Sequence, residues 1–441
     1  MIRGRYPESG SGCPGRVHIM AITTRWRTAA AVLSIGLVSA ACGTSKDAPS
    51  ATGGLIPAAP TTTDPRTYQG TDFYATPRAV AGSSHGDLVS YQEITLQGLT
   101  GAKAWRVLYR SVSVKDEKPI VVSGMIIAPA DEARGQRPMV AWAHSTVGSA
   151  DICAPSKSFN GKPLTNDPSE AALIEQLQFF VRQGYVVVAT DYEGLGTEGP
   201  HPYLVGESEG RSVLDSLLAA RQMTQLSASD TAVIYGLSQG GQAALFAGEL
   251  APTWAPDLKV VGVVAAAPFS EVDLLLTSAA GVPDVAAYYV LGVYGQVAGN
   301  AKLSSSQVLD PVASAQGSLV ESQCLGQIQG NYKALLSSSG KSTFMSTNPL
   351  TLPDWKTQLA SIVPGQRITG APILVVQGKA DTTIPAATTQ TLIKRICGKD
   401  RVQYIEYANT GQGDTIKSGD RDIRAFITNR MAGAPFTPAC S

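Results

Sequence analysis

The chain is short of charge, shorter still of histidine, and without a long apolar run. Charged residues make up 16% of it, 35 basic against 35 acidic, where folded domains usually carry about a quarter. A balance at zero excludes the basic footprint that nucleic-acid binding needs. Four histidines, His18, His85, His144 and His201, are scattered over 441 residues. With the cysteines expected to pair, they leave no metal-ligand set, and no cofactor motif stands in the sequence. The apolar run 29–41 falls short of the roughly 20 residues a membrane-spanning helix requires.

That run has another reading. Arg25-Trp26-Arg27 precedes it and "VSAAC" closes it, giving the basic, apolar and small-residue regions of an export signal. Residues 1–41 are read as a signal peptide whose natural start is Met20, and 42–64 as a flexible tether. Cys42 stands where a bacterial lipobox places its acylated cysteine, although Ser39 replaces the usual leucine. The expected location is therefore secreted or cell-surface, with membrane attachment through a lipidated Cys42. Export permits disulfides. Of the three pairings open to the four remaining cysteines, Cys153–Cys324 and Cys397–Cys440 are favoured, the second stapling the C-terminal tail.

From residue 65 onward, strands alternate with helices. "WRVLYRSVS" and "PIVVSGMIIAP" read as two antiparallel strands, followed by short apolar strands in "RPMVAWAH", "YVVVATDY", "TAVIYGL", "LKVVGVVAAAP", "APILVVQG" and "VQYIEYA". Helical periodicity fills "AALIEQLQFFVRQG", "GRSVLDSLLAARQMT", "GGQAALFAGELAP" and "ATTQTLIKRIC" between them. Apolar strands separated by helices imply an α/β fold, a mostly parallel sheet covered on both faces. The alternation breaks over 272–365, too long a gap for a simple connection. That segment is read as an inserted helical cap, with 65–271 and 366–441 as the two parts of the core. The competing reading is a second small domain with no role in the site.

One turn carries chemistry. Gly236-Leu237-Ser238-Gln239-Gly240 is a G-x-S-x-G between a strand and a helix. Such a turn strains the serine so that its hydroxyl projects above the sheet, and its glycines let strand and helix pass closely. The helix N-terminus then offers the Gln239 N–H to a developing oxyanion. The second donor is expected after "VAWA", read as the third strand, from the N–H of Ser145 or Thr146. His144 is expected to be structural, Asp191 to order the turn of "TDYEGLG", and His201 to pack locally. A phosphate-binding helix start is the alternative, but no lysine follows at the P-loop spacing.

"YGLSQGGQAALFAGELAPTWAPDLKVVGVVAAAP", "TDYEGLGTEGPHPYL" and "VVQGKADTTIP" together resemble the secretory lipase family of capped α/β-hydrolases that cleave lipid esters. The resemblance covers roughly residues 65–440. It implies an α/β-hydrolase fold, Ser238 as nucleophile and Asp381 as the acid. It also implies a histidine in the loop after the last strand, in a G-H-x-D pattern. That loop reads Gly411-Gln412-Gly413-Asp414, with Gln412 at the histidine position and no histidine anywhere after Asp381. Glutamine has no usable pKa, so it cannot accept the serine proton or return it to the leaving alcohol.

Two functions follow as expectations. One is a secreted serine-dependent ester hydrolase, a lipase or esterase acting on lipid esters, with activity strongly impaired at Gln412. The other is an inactive relative that binds a lipid or acyl ligand at the cell surface. Peptidases and acyltransferases also use this fold. The cap residues Leu274, Leu275, Leu276, Val285, Tyr288, Tyr289, Leu291 and Tyr294 would suit acyl chains as a lining, or equally form an ordinary helical core.

Overall fold

The strand residues alternate between two apolar environments, and that alternation builds a sheet with two covered faces. In the computed structural model, which describes residues 64, 66–75, 84–161 and 168–440, nine strands form one sheet: β1 (Leu88–Ile94), β2 (Ala102–Val112), β3 (Pro119–Pro129), β4 (Arg137–Ala143), β5 (Val186–Thr190), β6 (Ala228–Leu237), β7 (Lys259–Ala266), β8 (Ile373–Gly378) and β9 (Val402–Tyr407). The signal peptide, Cys42 and all of the tether except Asp64 lie outside the described residues.

The strand order is β1-β2-β3-β5-β4-β6-β7-β8-β9. The pairs β1–β2, β2–β3 and β3–β5 are antiparallel, and the five remaining pairings are parallel. This is the mostly parallel α/β sheet that the sequence implies. The strand β1 is not among those expected, so the run ending in "VAWA" is the fourth strand in chain order, not the third. β1 sits at the sheet edge with only Leu88 and Tyr91 buried, and such a strand has little apolar pattern to read.

Twelve helices accompany the strands among the described residues: α1 (Pro155–Ser158), α2 (Pro168–Arg182), α3 (Gly206–Arg221), α4 (Gln239–Trp254), α5 (Val272–Ala279), α6 (Ala286–Gly299), α7 (Pro311–Ser314), α8 (Ser318–Ser322), α9 (Leu325–Ser338), α10 (Pro353–Ser361), α11 (Ala386–Ile396) and α12 (Thr415–Met431). Val186, Val188, Ile234, Val263 and Val375 pack on one face against Leu214, Leu217, Ala244 and Leu392 of α3, α4 and α11. The intervening Val187, Val233, Tyr235, Val264 and Val376 pack on the other against Leu177, Phe180, Ile423 and Ile427 of α2 and α12. Period-two alternation thus feeds both layers, and each fully buried valine or isoleucine contributes about 1.5–3 kcal/mol before the entropy of ordering it.

The stretch 271–299, a single helix-prone run in the sequence, divides into α5 and α6 around Gly281 and Pro283. With α7 to α10 these helices build a separate apolar core. Leu275, Leu276, Tyr289 and Leu291 lie inside it beside Phe344 and Trp355, while Leu274 is exposed. That core also takes in Tyr203, Phe269 and Ile384, which come from loops at the C-terminal end of the sheet.

Two disulfides tie distant segments. Cys153 is bonded to Cys324, with Cα atoms 5.5 Å apart across 171 residues, and Cys397 to Cys440. Beside the first, Leu325 N–H donates to the Val147 carbonyl at 2.8 Å, so α9 is fastened to the loop that leaves β4. Beside the second, Ala439 N–H donates to Val402 O at 2.8 Å and Tyr404 N–H to Ala439 O at 2.9 Å. The C-terminal tail therefore pairs with the outer edge of β9, covering hydrogen-bonding groups that an edge strand would otherwise expose.

Candidate active site

Ser238 joins β6 to α4 with φ +59° and ψ −117°, a conformation that costs an L-residue on the order of 1–3 kcal/mol and persists only where its surroundings impose it. Three backbone bonds impose it here. Ser238 N–H donates to Ala266 O at 2.9 Å, and its own carbonyl accepts from Phe269 N–H and Gln242 N–H, each at 3.1 Å. The flanking glycines are required sterically. A Cβ on Gly236 would stand 2.1 Å from Gly240 O, and one on Gly240 would stand 1.9 Å from Ala143 O.

The strands β6, β7, β8 and β9 are consecutive parallel neighbours. Ser238, Asp381 and Gln412 follow the C-terminal ends of β6, β8 and β9, so one edge of the sheet carries all three. The loops after β8 and β9 interlock, with Ala380 N–H donating to Thr410 O at 2.9 Å. A Cβ on Gly378 would stand 2.3 Å from Thr410 O.

Asp381 is buried, 5% exposed. Its Oδ1 accepts from Thr383 N–H at 2.9 Å and Ile384 N–H at 2.8 Å, and Gln377 Nε2 lies 3.4 Å from Oδ2. Burial pushes its carboxyl up to about 6, against the pull of those donors. The Gln412 amide faces this carboxylate. With its NH2 group directed inward, Nε2 donates to Oδ2 and stands 3.3 Å from Oδ1. Gln412, expected at the base position, thus directs its amide to the Asp381 carboxylate.

Gln239 opens α4, so its N–H is one of the unsatisfied donors of a helix N-terminus. Ser145 and Thr146 follow β4, the strand beside β6, and Thr146 Oγ1 lies 2.8 Å from Tyr203 Oη.

The three described histidines bond elsewhere. His144 has Nδ1 2.7 Å from Ser145 O and Nε2 3.3 Å from Asp191 O, and burial depresses its pKa. His201 donates from Nδ1 to Glu193 O at 2.8 Å and accepts from Gln239 Nε2 at 3.3 Å, and burial pulls it down to about 4. Asp191 accepts from Ser123 Oγ at 2.6 Å and Ser156 N–H at 2.9 Å, bonds that order the turn after β5. His85 lies at the opposite edge of the sheet, bonded to Asp215. Among the described residues no group of three or more His, Cys, Asp or Glu could hold a metal ion, and no helix is long and apolar enough to cross a membrane.

One residue at this edge escapes sequence reasoning. Glu209, in the first turn of α3, is fully buried and accepts from Gln239 Nε2 at 2.8 Å and Leu204 N–H at 3.1 Å. In "GESEGRSV" it looks like any acid complementing a helix N-terminus, and no local pattern marks it.

Comparison with known proteins shows what the chain is similar to. The model of the secretory lipase family matches residues 170–438. Secreted triacylglycerol lipase LIP4 of Malassezia globosa is 30% identical over 229 residues, 51% of this chain and 48% of that protein. LIP3 of the same organism is 23% identical over 404 residues, 84% of this chain and 83% of that protein. Candida antarctica lipase A in its closed state superimposes with a TM-score of 0.71 at 18% identity, covering 84% of this chain and 88% of that one. A rice cell wall degrading esterase, LipA from Xanthomonas oryzae, gives a TM-score of 0.62 at 20% identity over 80% of this chain and 99% of its own. At those identities the solved structures speak for the α/β-hydrolase fold alone.

Proposed function

The chain belongs to the secretory lipase family, and on that premise we propose that it is a secreted serine-dependent carboxylic ester hydrolase by ancestry. It would act on lipid esters, and its turnover is held down by Gln412. Ser238 is the nucleophile and Asp381 the acid. The N–H groups of Gln239 and of Ser145 or Thr146 receive the oxyanion. Residues 272–365 form the cap over the site, and residues 65–271 with 366–441 form the core. The relatives' names supply the substrate class and the secreted location, and the N-terminal pattern 20–42 supports export with acylation at Cys42.

In the reaction, Ser238 Oγ adds to the acyl carbonyl and must lose its proton as the bond forms. The alkoxide of the alcohol must gain one as the ester C–O bond breaks. A base between Ser238 and Asp381 would carry that proton. The Gln412 amide carries none, so acylation rests on the oxyanion donors and on binding alone. Removing the base from such a site lowers kcat by on the order of 10⁶.

The strained elbow at Ser238 carries this reading, because that backbone state has its use in presenting a nucleophile. A second reading has its own observation. The bond between Gln412 and Asp381 keeps the loop formed without a base, as a protein that binds an acyl ligand without cleaving it would need. Reaction with a fluorophosphonate probe separates the two, since labelling needs an activated hydroxyl. Slow labelling of the mature chain, abolished by Ser238→Ala, supports the hydrolase. No labelling, combined with saturable binding of a long-chain fatty acid, supports the binding protein.

A further inference from the structure

Gln239 and Thr146, two of the three candidate oxyanion donors, are tied through their side chains to one short segment that neither the elbow nor the β4 loop contains. His201 to Glu209 connects the turn after β5 to the first turn of α3. From it, Glu209 Oε1 accepts Gln239 Nε2 at 2.8 Å, and His201 Nε2 accepts the same amide at 3.3 Å. Both N–H groups of the Gln239 amide are thereby used, and the residue expected to offer its backbone N–H to the oxyanion is held by its own side chain. From the same segment, the Tyr203 hydroxyl reaches Thr146 Oγ1 at 2.8 Å.

The segment is itself fixed. Leu204 holds φ +60° while its N–H donates to Glu209 Oε1 at 3.1 Å and its carbonyl accepts from Gln242 Nε2 at 3.3 Å. The Tyr203 carbonyl accepts from Gln296 Nε2 of α6 at 3.1 Å. A non-glycine residue held in a left-handed conformation beside a reactive turn signals that position is being imposed.

We propose that Glu209 and Tyr203 are positioning residues that set the spacing between the two oxyanion donors, acting through Gln239 and Thr146. This rests on the hydrolase reading of Ser238. Glu209 suits such a role because it adds no negative charge beside the forming oxyanion. Burial pushes its carboxyl up to about 8, and Oε2 has no hydrogen-bond partner among the described residues, which favours the neutral acid at pH 7. A misplacement of about 1 Å can cost on the order of 10²-fold in rate, and an oxyanion donor acts on the transition state rather than on the bound substrate. The loss should therefore fall on kcat and leave KM nearly unchanged.

The test places Glu209→Leu, Glu209→Gln and Tyr203→Phe each in the Gln412→His variant. It measures kcat and KM on p-nitrophenyl butyrate, and tetrahedral adduct formation with butylboronic acid by boron NMR. Glu209→Leu and Tyr203→Phe should each lower kcat and adduct affinity about 10- to 100-fold with KM within about threefold. Glu209→Gln, which keeps an accepting oxygen, should recover most of that loss. Tyr203→Phe removes a single oxygen, so it decides the matter even if Glu209→Leu fails to fold. Unchanged kcat in both variants, or a change confined to KM, overturns the positioning role and leaves the hydrolase reading intact. If the Gln412→His variant neither hydrolyses the ester nor forms the adduct, the hydrolase reading falls and this role falls with it.

Discussion

At each end of its strands the sheet carries a buried aspartate, Asp381 at one and Asp215 at the other, in different company. At the C-terminal edge stand a strained serine and a buried aspartate with a glutamine between the loops. Near the N-terminal edge His85 Nδ1 lies 2.7 Å from Asp215 Oδ1, which also accepts from Trp254 Nε1 at 2.9 Å. His85 lines an open cavity of about 570 Å³ together with Gln136, Ala228 and the helix ends at Arg221 and Trp254. A hydrogen-bonded histidine–carboxylate pair thus stands at the opposite end of the strands from Ser238. A histidine–aspartate pair makes no active site by itself. Among the described residues, the C-terminal edge has in Ser238 a serine at positive φ that opens directly into helix α4.

The largest effect should come from completing that edge. Gln412→His places an imidazole where the amide now holds Asp381, restoring a path from the Ser238 hydroxyl to a buried carboxylate. Hydrolysis of p-nitrophenyl butyrate should rise by several orders of magnitude, toward the roughly 10⁶-fold that a base supplies in serine hydrolases. Equal, near-zero rates in the chain carrying Gln412 and in the variant would break the comparison, because position 412 would then not be the base position.

Next comes the elbow itself. Gly240→Ala forces a Cβ to within 1.9 Å of the Ala143 carbonyl, backbone that has nowhere to move. It should destabilise the fold by about 3 kcal/mol or more and remove fluorophosphonate labelling in the Gln412→His background. Retained labelling and an unchanged denaturation midpoint would mean that the turn tolerates a wider opening than its geometry allows. Gly330→Ala, in α9, makes a suitable control, since a Cβ there meets nothing within 4 Å.

These two variants fall where the sequence is most legible, and the reasons are physical. Gly236 and Gly240 are visible because no other residue fits, and Val186–Val188 because a strand covered on both faces must be apolar at every position. Ser238 follows from both. β1 is not legible because an edge strand with polar neighbours obeys no strict alternation. α12 hides because it shows few apolar residues among "KSGDRDIR". Glu209 is hidden for a different reason. Its role depends on Gln239, 30 residues away, and on Leu204 held in a left-handed turn, and only the folded chain brings the three together. Sequence patterns report what each residue does to its own element, and positioning contacts between elements leave no such trace.

A smaller effect should appear at Asp381. Burial raises its carboxyl to about 6 from an ordinary 3.8, so the folded state prefers the protonated acid. The sign follows from linkage. The preference stabilises the fold below about pH 4 and is lost as pH rises through 6, leaving the buried carboxylate as a net cost at pH 7. The amide of Gln412, donating to both oxygens, reduces that cost. Asp381→Asn should therefore raise stability at pH 7 by about 2 kcal/mol and leave it unchanged near pH 4, read as denaturant midpoints at the two pH values. In the Gln412→His background the same substitution should lower hydrolysis, so one residue would gain stability where it loses catalysis. A stability gain of equal size at both pH values would assign the effect to packing.

The smallest effect tests the other edge. The bond from Asp215 raises the His85 pKa against partial burial, while burial raises Asp215 despite that bond. Both groups therefore hold protons more tightly in the folded chain than in the unfolded one. The stabilisation that His85 gives is fully present below the ordinary histidine value of 6.5 and fades as pH rises through the higher folded value. His85 is about one-third exposed, and solvent screening keeps the contribution below about 1 kcal/mol. His85→Gln should flatten the fall in melting temperature between pH 6 and 8 while leaving the Gln412→His hydrolysis rate untouched. If that rate falls as well, the two edges communicate through α3, whose first turn carries Glu209 and whose later turns carry Asp215. The pair at the N-terminal edge would then belong to the same machine as the serine.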